Sequence, residues 1–258
     1  MEPQNREKIL YRKQSRYNDI TVMQKGDFVT LYSPKNVIQS EINLRQPLKP
    51  HLEFNCSLLF SLAFCPMPSS ILALGLGGGV VPWVLSNSFP EAQVDVVEID
   101  DEMLKVAKNY FGFTPSDRLR VHIADARAFI DRLDRAYDLI ILDTYCGIDL
   151  AESVDNRSFF EDCAELVSDR GIMAVNLIPR QKGYIEERLK WLRQVPGNVY
   201  LLRGLTRANE VVFAGRQHVE KSTLLKNMGL LKKTLPFNLK GKRLLKRFED
   251  YNTPIRRL

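Results

Sequence analysis

Four positions in this sequence place a group capable of ligand chemistry where an apolar run gives way to a turn or helix. The first is Gly75-Leu76-Gly77-Gly78-Gly79, which follows the apolar run ILAL and precedes a helix-forming stretch. Glycines there let the backbone turn tightly and approach a ligand with no Cβ in the way, while a helix N-terminus offers free N–H groups. The dinucleotide fingerprint G-x-G-x-x-G would need its third glycine at position 80, which is Val80, so a pyrophosphate cofactor is disfavoured. Glu98, followed by Ile99, closes the next apolar run 23 residues after Gly75. That is close to the spacing of about 20 expected of an acid that binds ribose hydroxyls, and one carboxylate can accept from both. Asp125-Ala126 follows the next run: Asp125 suits an adenine amino group, with Ala126 leaving space for the ring, and it suits equally the N-cap of the helix ARAFIDRL. Asp143 ends the most apolar run, YDLIILD, and ligands of open α/β sheets collect at the carboxyl ends of strands. Gly, Glu, Asp and Asp therefore share one rim.

The elements that must hold these residues alternate. Strands are expected at 71–74, 94–99, LRVHIAD and 137–143, with helices at about 80–88, DEMLKVAKNYFG and ARAFIDRL between them. Alternating strand and helix make a parallel sheet covered on both faces. After a helix at 156–166, a strand GIMAVNL and a helix at 184–191, the runs VYLLRG and NEVVFAG read as a hairpin. The fold class expected is therefore α/β: a mostly parallel sheet ending in an antiparallel hairpin, the methyltransferase-type Rossmann arrangement, with a small N-terminal β appendage. Residues 19–42 alternate apolar and polar around Lys25-Gly26-Asp27 and Ser33-Pro34-Lys35, which predicts three short strands. The predicted division is an N-terminal β domain over 1–50, a cofactor domain over 51–215 and a basic helical tail over 216–258 packed on it.

The runs ILALGLGGGVV, VDVVEID, HIADARAFI and YDLIILD resemble the spermidine synthase family, the polyamine aminopropyltransferases, and more closely its divergent bacterial relatives. The N-terminal strands are similar to that family's small β domain, with Gln39 where a cofactor-contacting glutamine is expected. The resemblance implies a cofactor, S-adenosylmethionine or its decarboxylated form, with Glu98 on the ribose, Asp125 on the adenine and Asp143 beside the reacting centre. Gly75, Gly77, Gly78, Ile99 and Ala126 would complete the cofactor site. Two departures bear on the substrate. The family carries an Asp in the glycine loop that binds the amine of the decarboxylated cofactor, and here that position is Gly78. The family's D-[ST]-[ST]-D, whose second acid anchors a polyamine nitrogen, is Asp143-Thr144-Tyr145-Cys146. Loss of both acids leaves ammonium groups without a counter-charge, and loss of the first removes the repulsion that would exclude the carboxylate of intact S-adenosylmethionine. The expected activity is alkyl transfer, methyl slightly ahead of aminopropyl, to a small-molecule acceptor, with Asp143 as base or orienter and Tyr145 as a positioning group or wall. Asp149, Glu152 and Asp155 in the following loop could restore amine binding. The alternative is a non-catalytic cofactor sensor or partner-binding protein.

Bulk properties narrow the class further. Four scattered cysteines without a C-x-x-C pair and three histidines at no ligand spacing give no metal site and no disulfide framework. The first thirty residues are polar, and the longest apolar run, about a dozen residues from Cys56 to Met67, is short of a membrane span. These features point to a cytoplasmic protein with reduced thiols. Of the 37 Lys and Arg, 12 lie in residues 216–258 against 3 acids, so the whole basic excess sits in the tail. Leucines recur among its lysines at helical spacing, which predicts a helix with a solvated basic face; contact with RNA, a membrane surface or an acidic partner is the other reading. The N-terminal strands either cap the site or pair across a homodimer.

Overall fold

The computed structural model describes residues 7–33, 37–146, 149–151, 153–195, 197–206 and 208–252. An antiparallel sheet comes first, built in sequence order from β1 (Lys8–Gln14), β2 (Asp19–Lys25), β3 (Phe28–Ser33) and β4 (Val37–Asn43). It has one more strand than the three expected. β1, KILYRKQ, is an edge strand with no buried residue, and its three apolar residues are flanked by charges, so it lacks the alternation that announces a strand. The expected turn at Ser33-Pro34-Lys35 falls partly outside the described residues.

Helix α1 (Glu53–Leu59) runs into a 3₁₀ turn (Phe60–Ala63), and the α/β core follows. It comprises β5 (Ser70–Leu74), α2 (Val80–Ser88), β6 (Gln93–Glu98), α3 (Asp101–Tyr110), β7 (Leu119–Ile123), α4 (Ala126–Ile130) and β8 (Tyr137–Leu142). A two-residue ladder of β9 (Tyr145–Cys146) and β10 (Asp149–Leu150) interrupts the alternation. Then come α5 (Arg157–Glu165), β11 (Val167–Leu177), α6 (Tyr184–Gln194), β12 (Asn198–Leu202) and β13 (Glu210–Gly215), and the tail forms α7 (Lys221–Thr234), α8 (Gly241–Leu245) and β14 (Phe248–Asp250). The eight-stranded sheet has the order β14-β12-β13-β11-β8-β5-β6-β7, parallel from β11 to β7 and antiparallel through β13, β12 and β14. The expected parallel sheet ending in a hairpin is present. Its last strand, β14, pairs with β12 and comes from the tail.

Both sheet faces are covered, as near-continuous apolar strands require. One apolar cluster joins α1, α2 and the tail helices to the sheet, the other joins α4, α5 and α6. A third, with Ile20, Val22, Leu31 and Ile42, seats the N-terminal sheet on Val80, Met103, Val106 and Phe111. At that joint Tyr11 and Lys13 both donate to Glu102 of α3, and these hydrogen bonds hold its carboxyl down at about 2. The small sheet is thereby fixed against the large one, with Gln39 and Ser40 of β4 lining the cavity. No helix among the described residues is long and apolar enough to cross a membrane.

Candidate functional site

β5 lies between β6 and β8, so the chain leaves β5 in one direction and, after β7, returns on its other side. Reversal of strand order opens a crevice at the carboxyl ends. The cavity there is lined by all ten residues named from the sequence for the cofactor and the reacting centre.

Gly75 is the tightest point of the rim. Its φ is +99°, and a Cβ on it would stand 2.2 Å from the backbone oxygen of Asp143, so only glycine lets β5 and β8 end side by side. The Gly75 N–H donates to Val97 and the Asp143 N–H to Leu74, which locks three strand ends together. Glu98 then fastens the glycine loop: its Oε2 accepts from the Leu76 N–H at 3.0 Å and its Oε1 from the Asp100 N–H at 2.9 Å. Burial raises the Glu98 carboxyl above its usual range and the backbone bonds oppose this. Each oxygen keeps a further lone pair, so loop anchoring and ribose binding are compatible.

Asp125 serves as N-cap of α4, accepting from the Ala128 N–H at 3.0 Å, the role the sequence offered beside adenine binding. Its other oxygen accepts from the Ser153 hydroxyl at 3.0 Å, which ties the segment after β10 to the rim. Gln39 lines the cavity with its Nε2 buried and without a partner.

Asp143 lines the same cavity. Burial pushes its carboxyl up to about 6, against a hydrogen bond from Asn176 Nδ2 to Oδ1 at 2.8 Å. Asn176 is itself oriented, because its Oδ1 accepts from Asn209 Nδ2 at 3.1 Å. A short amide chain therefore runs from the start of β13 through the end of β11 to the acid. The Tyr145 hydroxyl donates to the Asn176 carbonyl and accepts from the Ile178 N–H, both at 2.9 Å. Engaged on both sides by backbone, it can wall the cavity but has no free proton to exchange with a substrate.

Of the loop acids, Asp149 pairs with Arg180 at 3.1 Å, and Asp155 is held by Arg188 at 2.7 Å and the Tyr184 hydroxyl at 3.2 Å. Neither lines the cavity. Glu152 lies outside the described residues, and so does the Cys146 side chain. Residues not singled out from the sequence complete the wall: Ser40, Asn55, Asn176 and Asn209. Asn176 carried a signal of its own, a polar residue inside the apolar run GIMAVNL, and Asn55 interrupts the apolar stretch LEFNCSLLF.

Comparison with known proteins places the chain in a family. The spermine/spermidine synthase domain model matches residues 59–201. The polyamine aminopropyltransferase of Vibrio vulnificus is 34% identical over 199 residues, covering 74% of this chain and 66% of that protein. The eEF1A lysine and N-terminal methyltransferase of Homo sapiens is 32% identical over 184 residues, covering 66% of this chain. This chain spans only 26% of that longer relative, just as it spans about two thirds of the Vibrio protein. Human methyltransferase-like protein 13, solved in complex with SAH, superposes with a TM-score of 0.64 at 29% identity, covering 72% of this chain and 94% of that one. With a methyltransferase-like sheet, the glycine loop inside the matched segment and the acids at its strand ends, the chain belongs to the spermine/spermidine synthase family.

Proposed function

We propose that this chain binds intact S-adenosylmethionine in the rim cavity and transfers its methyl group to an amine held beside Asp143. The observation that carries the choice of cofactor is the packing around Gly78, where aminopropyltransferases are expected to hold an acid. A Cβ there would stand 2.5 Å from Ser40 Oγ and 2.7 Å from Phe111 Cδ1. The space an aspartate would need is filled by β4 and by the residue that ends α3. A neutral hydroxyl in place of a carboxylate tolerates the carboxylate of the intact cofactor and offers no counter-charge to the bare ammonium of the decarboxylated one. Two relatives fit this reading: the human enzyme named for methyl transfer to lysine and N-terminal amines, and the methyltransferase-like structure holding SAH.

The residues present suit such a cofactor. The glycine loop lets its backbone approach, Glu98 and Asp125 present lone pairs to sugar and base edges, and the unpartnered Gln39 Nε2 offers a donor. Bound there, the sulfonium would supply an electrophilic carbon with a neutral thioether as leaving group. The chain would hold the amine close to that carbon, so that its lone pair could form the new C–N bond as the C–S bond breaks. Asp143 would take the proton of the bound ammonium and so free that lone pair, and the alkylated nitrogen would leave protonated. Asn176 occupies Oδ1, which leaves Oδ2 for this task.

Calorimetric titration with S-adenosylmethionine and its decarboxylated form, with Glu98→Ala as control, tests the reading. The intact cofactor should bind at least tenfold more tightly, with binding lost in the control. A preference for the decarboxylated form would return the chain to aminopropyl transfer. Tight binding with no methyl transfer to any amine offered would mark a sensor.

A further inference from the structure

The part of the cavity left for an acceptor has a consistent chemistry. Asn55 of α1 is only 3% exposed, lines the cavity, and has an Nδ2 with no hydrogen-bond partner. Thr144 Oγ1, on the residue after Asp143, is likewise buried and unpartnered. A buried amide or hydroxyl left unpaired is costly, so such groups are retained where a ligand completes them. Asn176 and Asn209 add two more neutral amides to the same wall.

Charge is scarce there. Among the described lining residues no Lys, Arg or His occurs, and the acids are Asp143, Glu98 and Asp125. Glu98 is engaged by two backbone N–H groups, and Asp125 by a helix end and Ser153. Asp149 and Asp155 are satisfied by arginines away from the cavity. One amine can therefore be received at Asp143, but a second ammonium or a carboxylate farther along would find no free counter-charge among the described lining residues. A neutral amide meets no such penalty. It donates and accepts at once, so it complements Asn55 whichever way that side chain is turned.

Resting on the proposed cofactor site, we infer that the acceptor is a single amine borne on a neutral, amide-containing chain of the kind a peptide presents, with Asn55 and Thr144 hydrogen-bonding its amide. Diamines and polyamines, which carry the second positive charge, are the class this wall disfavours.

Three probes of equal chain length separate the alternatives: 4-aminobutanamide, 1,4-diaminobutane and 4-aminobutanoate, each titrated into protein saturated with S-adenosylhomocysteine. The amide should bind about tenfold more tightly than either charged analogue. Asn55→Leu should weaken the amide about tenfold, keep S-adenosylhomocysteine within about twofold, and leave the melting temperature unchanged or higher, since it removes an unpaired buried group. Thr144→Val should show the same pattern at smaller amplitude. Failure of S-adenosylhomocysteine to bind would overturn the cofactor reading and this one with it. With S-adenosylhomocysteine bound, a diamine preference, no binding of the amide, or an Asn55→Leu protein that melts lower with amide affinity unchanged would overturn the acceptor assignment alone.

Discussion

At Asp143 two influences oppose each other on one carboxyl: burial lifts it from 3.8 to about 6, and the Asn176 amide pulls it back. If the ionised form takes the amine's proton, kcat/KM should rise about tenfold per pH unit below about 6 and level off above it. Removing the Asn176 bond by Asn176→Ala should move that inflection upward, because only the lowering influence is lost. The same carboxyl links stability to pH. An acid held higher in the folded chain than in the unfolded one binds more protons when folded, so stability falls as pH rises from about 4 through about 6. By pH 7 the difference corresponds to at most about 3 kcal/mol, less whatever solvent screening at this half-buried site removes. Asp143→Asn keeps an acceptor for Asn176 and carries no charge. It should therefore abolish transfer while making the protein more resistant to urea at pH 7, with the gain vanishing near pH 4. Equal urea midpoints at pH 7 would mean that Asp143 is not strained by burial.

Between elements, the decisive fit is that of the glycine loop against β4 and the end of α3. Gly78→Asp restores the family's acid in name but drives a side chain into Ser40 and Phe111. Overpacking of this kind costs about 1–3 kcal/mol, so the variant should melt several degrees lower and still not favour the decarboxylated cofactor. Adding Ser40→Gly should recover part of the loss. Thermal unfolding checks both, and a Gly78→Asp protein of unchanged melting temperature would show that the loop has room. This level of organisation is also where the sequence stops being readable. The strands β5, β6, β7 and β8 and their terminal Gly, Glu, Asp and Asp were legible because a local apolar period ends in one polar residue. β1 was not, since charged residues flank its short apolar stretch and it is held by pairing with β2. Nor could the chain from Asn209 through Asn176 to Asp143 be read, because it joins residues 33 apart in sequence at each step. That Ser40 and Phe111 fill the space beside Gly78 depends on how one sheet docks on another, which no spacing encodes.

For the molecule as a whole, the basic tail raises the question of whether its 43 residues are an appendage or part of the fold. Its lysines suggest the first and its packing the second. Leu224, Met228, Leu231, Leu235, Leu239, Leu244 and Phe248 are all buried in the cluster that covers one face of the large sheet. β14 pairs with β12 at the sheet's edge, and Asn227 donates to the carbonyl of Ala63 at 2.8 Å. Arg247 meets Glu53 at 2.6 Å, and Glu53 also receives the Leu205 N–H, so the tail braces the start of α1, the helix that carries Asn55. Burial of seven large apolar side chains, at about 1.5–3 kcal/mol each as an upper range, matches or exceeds the net stability of an ordinary domain, about 5–15 kcal/mol. A chain cut after Arg216 should therefore fail to fold cooperatively. Lys226, Lys232 and Lys233 are exposed on the far side of α7. Changing all three to Gln should leave the melting temperature within about 1 °C, as expected of exposed charges. A truncated protein that kept a sharp melting transition would make the tail dispensable, and a large loss in the triple variant would assign its charges a structural part.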